Sequence, residues 1–227
     1  MKNSQKKNSK KIVLHKLNWL EWIAIGLSMW FLFYPKPYNF LLISLLLLPF
    51  IGMFLNGLNK PSIASLVEID RDSKNEYDVA DFIDIPAWVI TVRALLDYEL
   101  DSFLSLIIIG SVAFIAVLLF LFATHKQIEN SNTDKIFIYS YSSITAINCS
   151  FDTSNPIIYE TKIIDKHISK GRRGRRTYYV KVQPWGHHYD SENMKVSSSE
   201  YENYLINESV KIDYKEGLLG IPWYYLE

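Results

Sequence analysis

The segment WGHHYD, Trp185 to Asp190, sets two adjacent histidines close to an aspartate. Imidazole nitrogens and carboxylate oxygens are ligands of zinc and related divalent ions. Adjacent side chains on a strand point to opposite faces, so His187 and His188 can share an ion only in a loop, which Gly186 permits. A third ligand would have to come from His167 or Asp190. No zinc-type spacing frames these four residues, so the expectation is no metal and no other cofactor. A second group is electrostatic. In SKGRRGRRTYYVKV, Lys170, Arg172, Arg173, Arg175 and Arg176 gather at the expected tip of a hairpin, where they could meet anionic lipid headgroups or an acidic protein. Trp223, Tyr224 and Tyr225 are expected to form an aromatic edge with the same kind of binding role.

Other chemistry is missing from the text. There is no nucleophile elbow, phosphate loop, zinc-hydrolase helix or cysteine pair, so no catalytic residue is assigned and no enzyme is expected. The lone Cys149 reads as a small buried hydrophobe. With 24 basic and 24 acidic side chains the chain is neutral, which excludes nucleic acid as a partner.

The elements that must carry these residues fall into two regimes. Residues 1–16 form a basic tail without an acid, expected in the cytoplasm. Residues 17–58 read as a transmembrane helical hairpin broken at YPKPYN, with Pro49 inside its second helix. Residues 59–102 read as an acidic loop followed by an amphipathic helix. Asp84 is its expected N-cap, Pro86 lies in its first turn, and its apolar stripe is Ile85, Trp88, Val89, Val92, Leu96 and Leu100, with Arg93 and Asp97 spaced to pair. Only fourteen residues separate Asp84 from Glu99, roughly 21 Å of helix, too short to span with Arg93 inside. An interfacial or re-entrant helix leading into the next span is therefore expected there. Residues 103–124 form the third expected span, uncharged, with Gly110, Ala113 and Ala116 available for close helix packing.

From residue 134 to 227 the pattern shifts to short runs rich in Ile, Tyr, Val and Thr. KIFIYSY, SSITAINCSF, IIYETKIIDKHI, RTYYVKVQPW and SVKIDYKEG read as strands, with one helix capped by Ser199 and Glu202. The expected fold is thus α+β: three transmembrane helices, one interfacial helix, and a small antiparallel β-sheet or open β-barrel with one short helix.

The order of TYYVKV, VSSSEYENYL and VKIDYKEGLLGIPWYY resembles the C-terminal module of uncharacterised bacterial inner-membrane proteins that carry a domain of unknown function. The resemblance spans roughly Ile157 to Tyr225. It implies a small β-module tethered to membrane helices and carries over no catalytic residues. The expected role is a membrane-anchored, non-enzymatic binding or scaffolding protein of the bacterial envelope. The alternative is a subunit of an oligomeric transporter or channel using Glu21, Pro49 and Arg93. The expected partners are the lipid bilayer, an anionic lipid or a protein, and further copies of the chain. The expected place is the inner membrane, multi-pass, with the N-terminus cytoplasmic and the C-terminal domain periplasmic.

Overall fold

The computed structural model describes residues 19, 21–58, 64, 65, 77, 78, 81–124, 130–171, 174 and 176–227. They form two compact units. One runs through Asp97 and resumes over Ser102–Phe151; the other joins Tyr98–Asp101 to Asp152–Glu227.

The first unit is helical: α1 (Glu21–Phe33), α2 (Tyr38–Leu58), α3 (Asp81–Asp97), α4 (Phe103–Thr124) and α5 (Asn130–Ser150), with a two-residue parallel pair, β1 (Ala64–Ser65) and β2 (Tyr77–Asp78), before α3. Side-chain contacts fix the helix directions. Phe31 packs edge-on against Tyr38 across the α1–α2 turn. Tyr38 donates to Asp97 at 3.1 Å, joining the start of α2 to the end of α3. Lys135 pairs with Asp84 at 2.5 Å, joining the starts of α3 and α5. Phe114 meets Phe137 while Gly110 meets Tyr141, so α4 and α5 run antiparallel.

Gly110 explains how closely that last pair approaches. A Cβ there would lie 2.6 Å from the Tyr141 ring, whose hydroxyl is hydrogen-bonded to Ser111 at 2.7 Å. The close approach expected of this helix is present at Gly110, whereas Ala116 is exposed.

Three expectations for this region are corrected. Among the described residues one helix, with an 18-residue window at Phe103–Phe120, is long and apolar enough to cross a membrane; Glu21–Phe33 and Tyr38–Ile51 are shorter apolar helices. The three-span fold is therefore not what forms. The helix containing Arg93 exists, but it starts at Asp81, so Asp84 is no N-cap and Pro86 lies inside. Its buried face is Ala87, Ile90 and Ala94, with Val89 of the expected stripe packed against the core, while Trp88, Val92 and Leu96 of that stripe are exposed, so the helix packs into the bundle through a different face from the one expected. Arg93 does pair with Asp97, at 2.6 Å.

The third correction is α5, which replaces the strands expected at KIFIYSY and SSITAINCSF. Buried Ile136, Tyr139, Ser143, Ala146 and Cys149 recur at three- and four-residue steps, a helical stripe hidden in a β-rich composition. Ser140, Ser142 and Thr145 return their hydroxyls to the carbonyls of Ile136, Ile138 and Tyr141, which spares the helix interior their competing bonds.

The second unit is an open six-stranded antiparallel sheet, in the order β3 (Glu99–Leu100), β8 (Trp223–Leu226), β7 (Ser209–Lys215), β4 (Ile157–Lys170), β5 (Arg176–Val182), β6 (Glu192–Val196). β4 is the long central strand. Its first half pairs with β7 and its second with β5, with an irregularity between Ile163 and Asp165. Thr161 and Ile163 are buried and Glu160, Lys162 and Ile164 exposed, the alternation of a half-buried strand. Ile163, Val180, Val182, Trp185, Met194, Val210, Ile212 and Tyr224 form the core. The short α6 (Ser198–Asn203) is capped by a Ser197–Glu200 box, two residues earlier than the expected pair.

Candidate functional site

The site grows from a tight turn. Trp185 and His188 exchange backbone hydrogen bonds of 3.1 and 2.8 Å, leaving Gly186 and His187 as the two turn residues. Gly186 has φ +53°, the left-handed conformation that glycine adopts without penalty, and a Cβ there would press on the Tyr159 ring at 3.0 Å. The turn takes the two histidines out of strand alternation, so both rings reach one carboxylate.

That carboxylate is Asp101. His187 Nε2 lies 3.0 and 3.1 Å from its two oxygens, and His188 Nε2 lies 2.7 Å from Oδ1. Asp101 stands just past the edge strand β3. Its N–H donates to the Pro222 carbonyl at 3.0 Å, and Glu99 and Leu100 are paired with Tyr224 and Trp223. The sheet therefore fixes the carboxylate from one side and the turn fixes the imidazoles from the other.

A second layer holds His188. Its Nδ1 lies 3.3 Å from Glu192 Oε2 on β6. The Glu192 carboxylate also accepts from the Trp185 indole at 3.2 Å and from the Tyr224 hydroxyl at 2.6 Å. The Trp185 ring is stacked on His188, with centroids 4.2 Å apart and 18° between planes. Access grades across the cluster, because the His187 side chain is half exposed while that of Asp101 is 11 % exposed.

Negative charge accumulates in this partly buried setting. Burial pushes the Glu99 carboxyl above its ordinary range, and the Glu192 charge adds to the effect against the hydrogen bond from the Lys195 backbone. Burial first, then the bond to Glu192 and the charges of Glu192, Glu99 and Asp101, drives the Tyr224 hydroxyl well upward. Tyr214, whose hydroxyl donates to Asp101 at 3.4 Å, is raised by burial and then by that carboxylate.

Comparison of the chain with family models, with curated proteins and with solved structures found no match in any of the three.

The arrangement sorts the sequence candidates. His187 and His188 are brought together. His167 is stacked flat on Tyr179, its cross-strand neighbour on β5, and is not part of the cluster; nor is the exposed Asp190. The third ligand group is Asp101, which sequence reasoning passed over as a polar residue beside the amphipathic helix. The hairpin β4–β5 forms as expected, with Lys170 opposite Arg176 and both exposed. Arg172, Arg173 and Arg175 lie outside the described residues. The aromatic edge is not a surface. Trp223 and Tyr224 are buried, with Trp223 donating to Asp152 at 2.9 Å, and the half-exposed Tyr225 donates to Asp213 at 2.8 Å. These three side chains hold the sheet.

Proposed function

We propose that the chain is a membrane-anchored, non-enzymatic binding protein of the bacterial envelope, with its helical unit in lipid and its β unit as the binding module. One observation carries this reading. The window Phe103–Phe120 of α4 has no charge, yet only 11 % of it is buried inside the protein. A helix so apolar and so uncovered needs an apolar solvent, since a soluble monomer seldom exposes a continuous patch of that kind. Trp22, Phe33, Phe40 and Leu95 extend the exposed apolar surface over the neighbouring helices.

With the basic tail in the cytoplasm, where its lysines favour it, an odd number of crossings would set the β unit on the periplasmic side.

Two measurements test the proposal. Expressed in bacteria, the full chain should stay with the membranes through an alkaline carbonate wash and move to the soluble fraction only with detergent. Release by carbonate would end the anchoring claim. In a Cys149→Ser background, a cysteine replacing the exposed Tyr189 should react with a membrane-impermeant maleimide in cells whose outer membrane is permeabilised. Reaction only after lysis would put the β unit in the cytoplasm.

A further inference from the structure

The binding role lacks a ligand, and the β unit carries a constellation suited to one. Its geometry stands on that unit alone and does not rest on the lipid reading. A neutral imidazole has one N–H. His188 faces a carboxylate with each of its nitrogens, Asp101 at 2.7 Å and Glu192 at 3.3 Å. Only one of these contacts can be a hydrogen bond from a neutral ring. The other sets a lone pair against a carboxylate unless the ring carries a second proton or a cation lies between them. His187 brings a further nitrogen to the same carboxylate at 3.0 Å. Among the described residues Asp101 forms ion pairs with these two histidines and with no lysine or arginine.

We infer that Asp101, His187 and His188 bind one divalent first-row transition-metal ion of the zinc class, with Glu192 holding His188 in the tautomer that binding requires. Nε2 of each histidine and one Asp101 oxygen supply the ligand atoms, which all lie within 4.8 Å of one another. A tetrahedral ion with bonds of ~2.0–2.2 Å separates its ligand atoms by roughly 3.3–3.6 Å, so the His–Asp101 distances of 3.0 and 2.7 Å must open somewhat and the two imidazole nitrogens must settle at the same spacing. His188 then donates its Nδ1–H to Glu192, and Glu192 is fixed in turn by Trp185 and Tyr224. A carboxylate behind a ligating histidine sets its tautomer and raises its basicity. The site is half open through His187, which gives the ion an entry path. Three protein ligands leave a fourth position for water or for a donor atom of a partner.

The ion is sought in the full chain, purified in detergent and stripped with a chelator. Zn²⁺ is titrated by calorimetry, and metal analysis after gel filtration gives the stoichiometry. One zinc per chain is expected. Asp101→Asn and His188→Gln should each weaken binding by about 100-fold or more, and Glu192→Gln by ~10–100-fold. His167→Gln should bind like the parent. Because Asp101→Asn removes a buried anchor of the sheet, His187→Gln serves as a second ligand variant. Its side chain is half exposed at a turn, so its melting should be unchanged while affinity falls at least tenfold. Absence of stoichiometric zinc in the parent overturns the assignment. Zinc binding that survives in both Asp101→Asn and His188→Gln overturns it equally. Neither result bears on membrane anchoring, which the carbonate wash decides separately.

Discussion

The two units differ most at their surfaces. The helical unit buries Phe31, Leu41, Leu45, Ile90 and Ile136 together with small and hydroxylic side chains such as Ala24, Ser28, Ala87 and Ser140, and it still turns Trp22, Phe33, Leu95, Phe103 and Val112 outward. The β unit buries Ile163, Val182, Trp185, Met194 and Tyr224, and the outer positions of its central strand mix Glu160, Lys162 and Asp165 with Ile157, Ile158 and Ile164. In water, burying large apolar groups drives folding, so they go inside. In lipid that drive is absent between helices, and close approach of backbones through small residues takes its place. On the proposed membrane reading the contrast is that of one chain matched to two solvents, and it can be attacked from either side.

The largest effect should come from the β unit. Trp185→Ala empties a core position that is 4 % exposed and touches Tyr159, His188, Tyr214 and Tyr224. Truncating such a residue costs about 3–5 kcal/mol. The near-ultraviolet circular dichroism of the β unit should melt at a much lower temperature, or be absent. A small loss would mean that the sheet does not depend on its aromatic core.

The next substitution separates the solvents directly. Ile108 on α4 and Leu218 in the β unit are both exposed, at 61 % and 51 %. On a water-facing surface either can become lysine within about 0.5 kcal/mol. In the middle of a membrane helix a lysine costs about 2.5–3.5 kcal/mol. Ile108→Lys should therefore reduce the membrane-integrated fraction sharply, whereas Leu218→Lys should leave both integration and melting unchanged. Equal tolerance of the two changes would erase the contrast between the units.

Smaller again is the effect of overpacking the helix contact. Gly110→Leu must push the Tyr141 ring away and break its hydrogen bond to Ser111. Overpacking of this kind costs about 1–3 kcal/mol, partly offset by the better helix propensity of leucine. Thermal melting of the full chain in detergent reads it. Gly110→Ala should be milder, and a ranking in which alanine is worse than leucine would contradict the packing argument.

The same contrast decides what could be read in the sequence. The hairpin from Ile157 to Val182 and the strand at Ser209–Lys215 were legible because alternation is a local signal. α3 was legible as a helix, but of its expected stripe Val89 packs on the core while Trp88, Val92 and Leu96 face out. The rule that large apolar residues mark the buried side selects Trp88 and Leu96, and in this unit those face out while Ala87 and Ala94 face in. α5 was hidden by β-branched and aromatic residues whose propensity is overridden by packing against α3 and α4. The histidines of the site were visible as a pair. Asp101 was not, because its strand is two residues long and it meets His187 across 86 positions of sequence. No periodicity encodes a pairing of that range.

The smallest effect concerns how the β unit is tied at its start, and it carries a pH signature. The Asp152 carboxylate accepts from the Trp223 indole at 2.9 Å, the Gly217 N–H at 3.1 Å and the Ser154 N–H at 2.8 Å. Partial burial pushes its pKa up, but the bonds from Ser154 and Trp223 and the charge of Lys215 outweigh that, so the folded carboxyl lies below its ordinary value of 3.8. The unfolded chain thus takes up a proton before the folded one does. The contribution is complete above the unfolded value and is lost as pH falls through the folded pKa. Asp152→Asn removes the charge and leaves one side-chain oxygen to accept for a buried indole, at a cost of roughly 1–2 kcal/mol. Melting of parent and variant should differ most near neutrality, and the gap should close as pH drops below 3.8. A gap that stays constant into acid would show that the residue acts through packing alone, and the start of the β unit would then be held by apolar contact like its core.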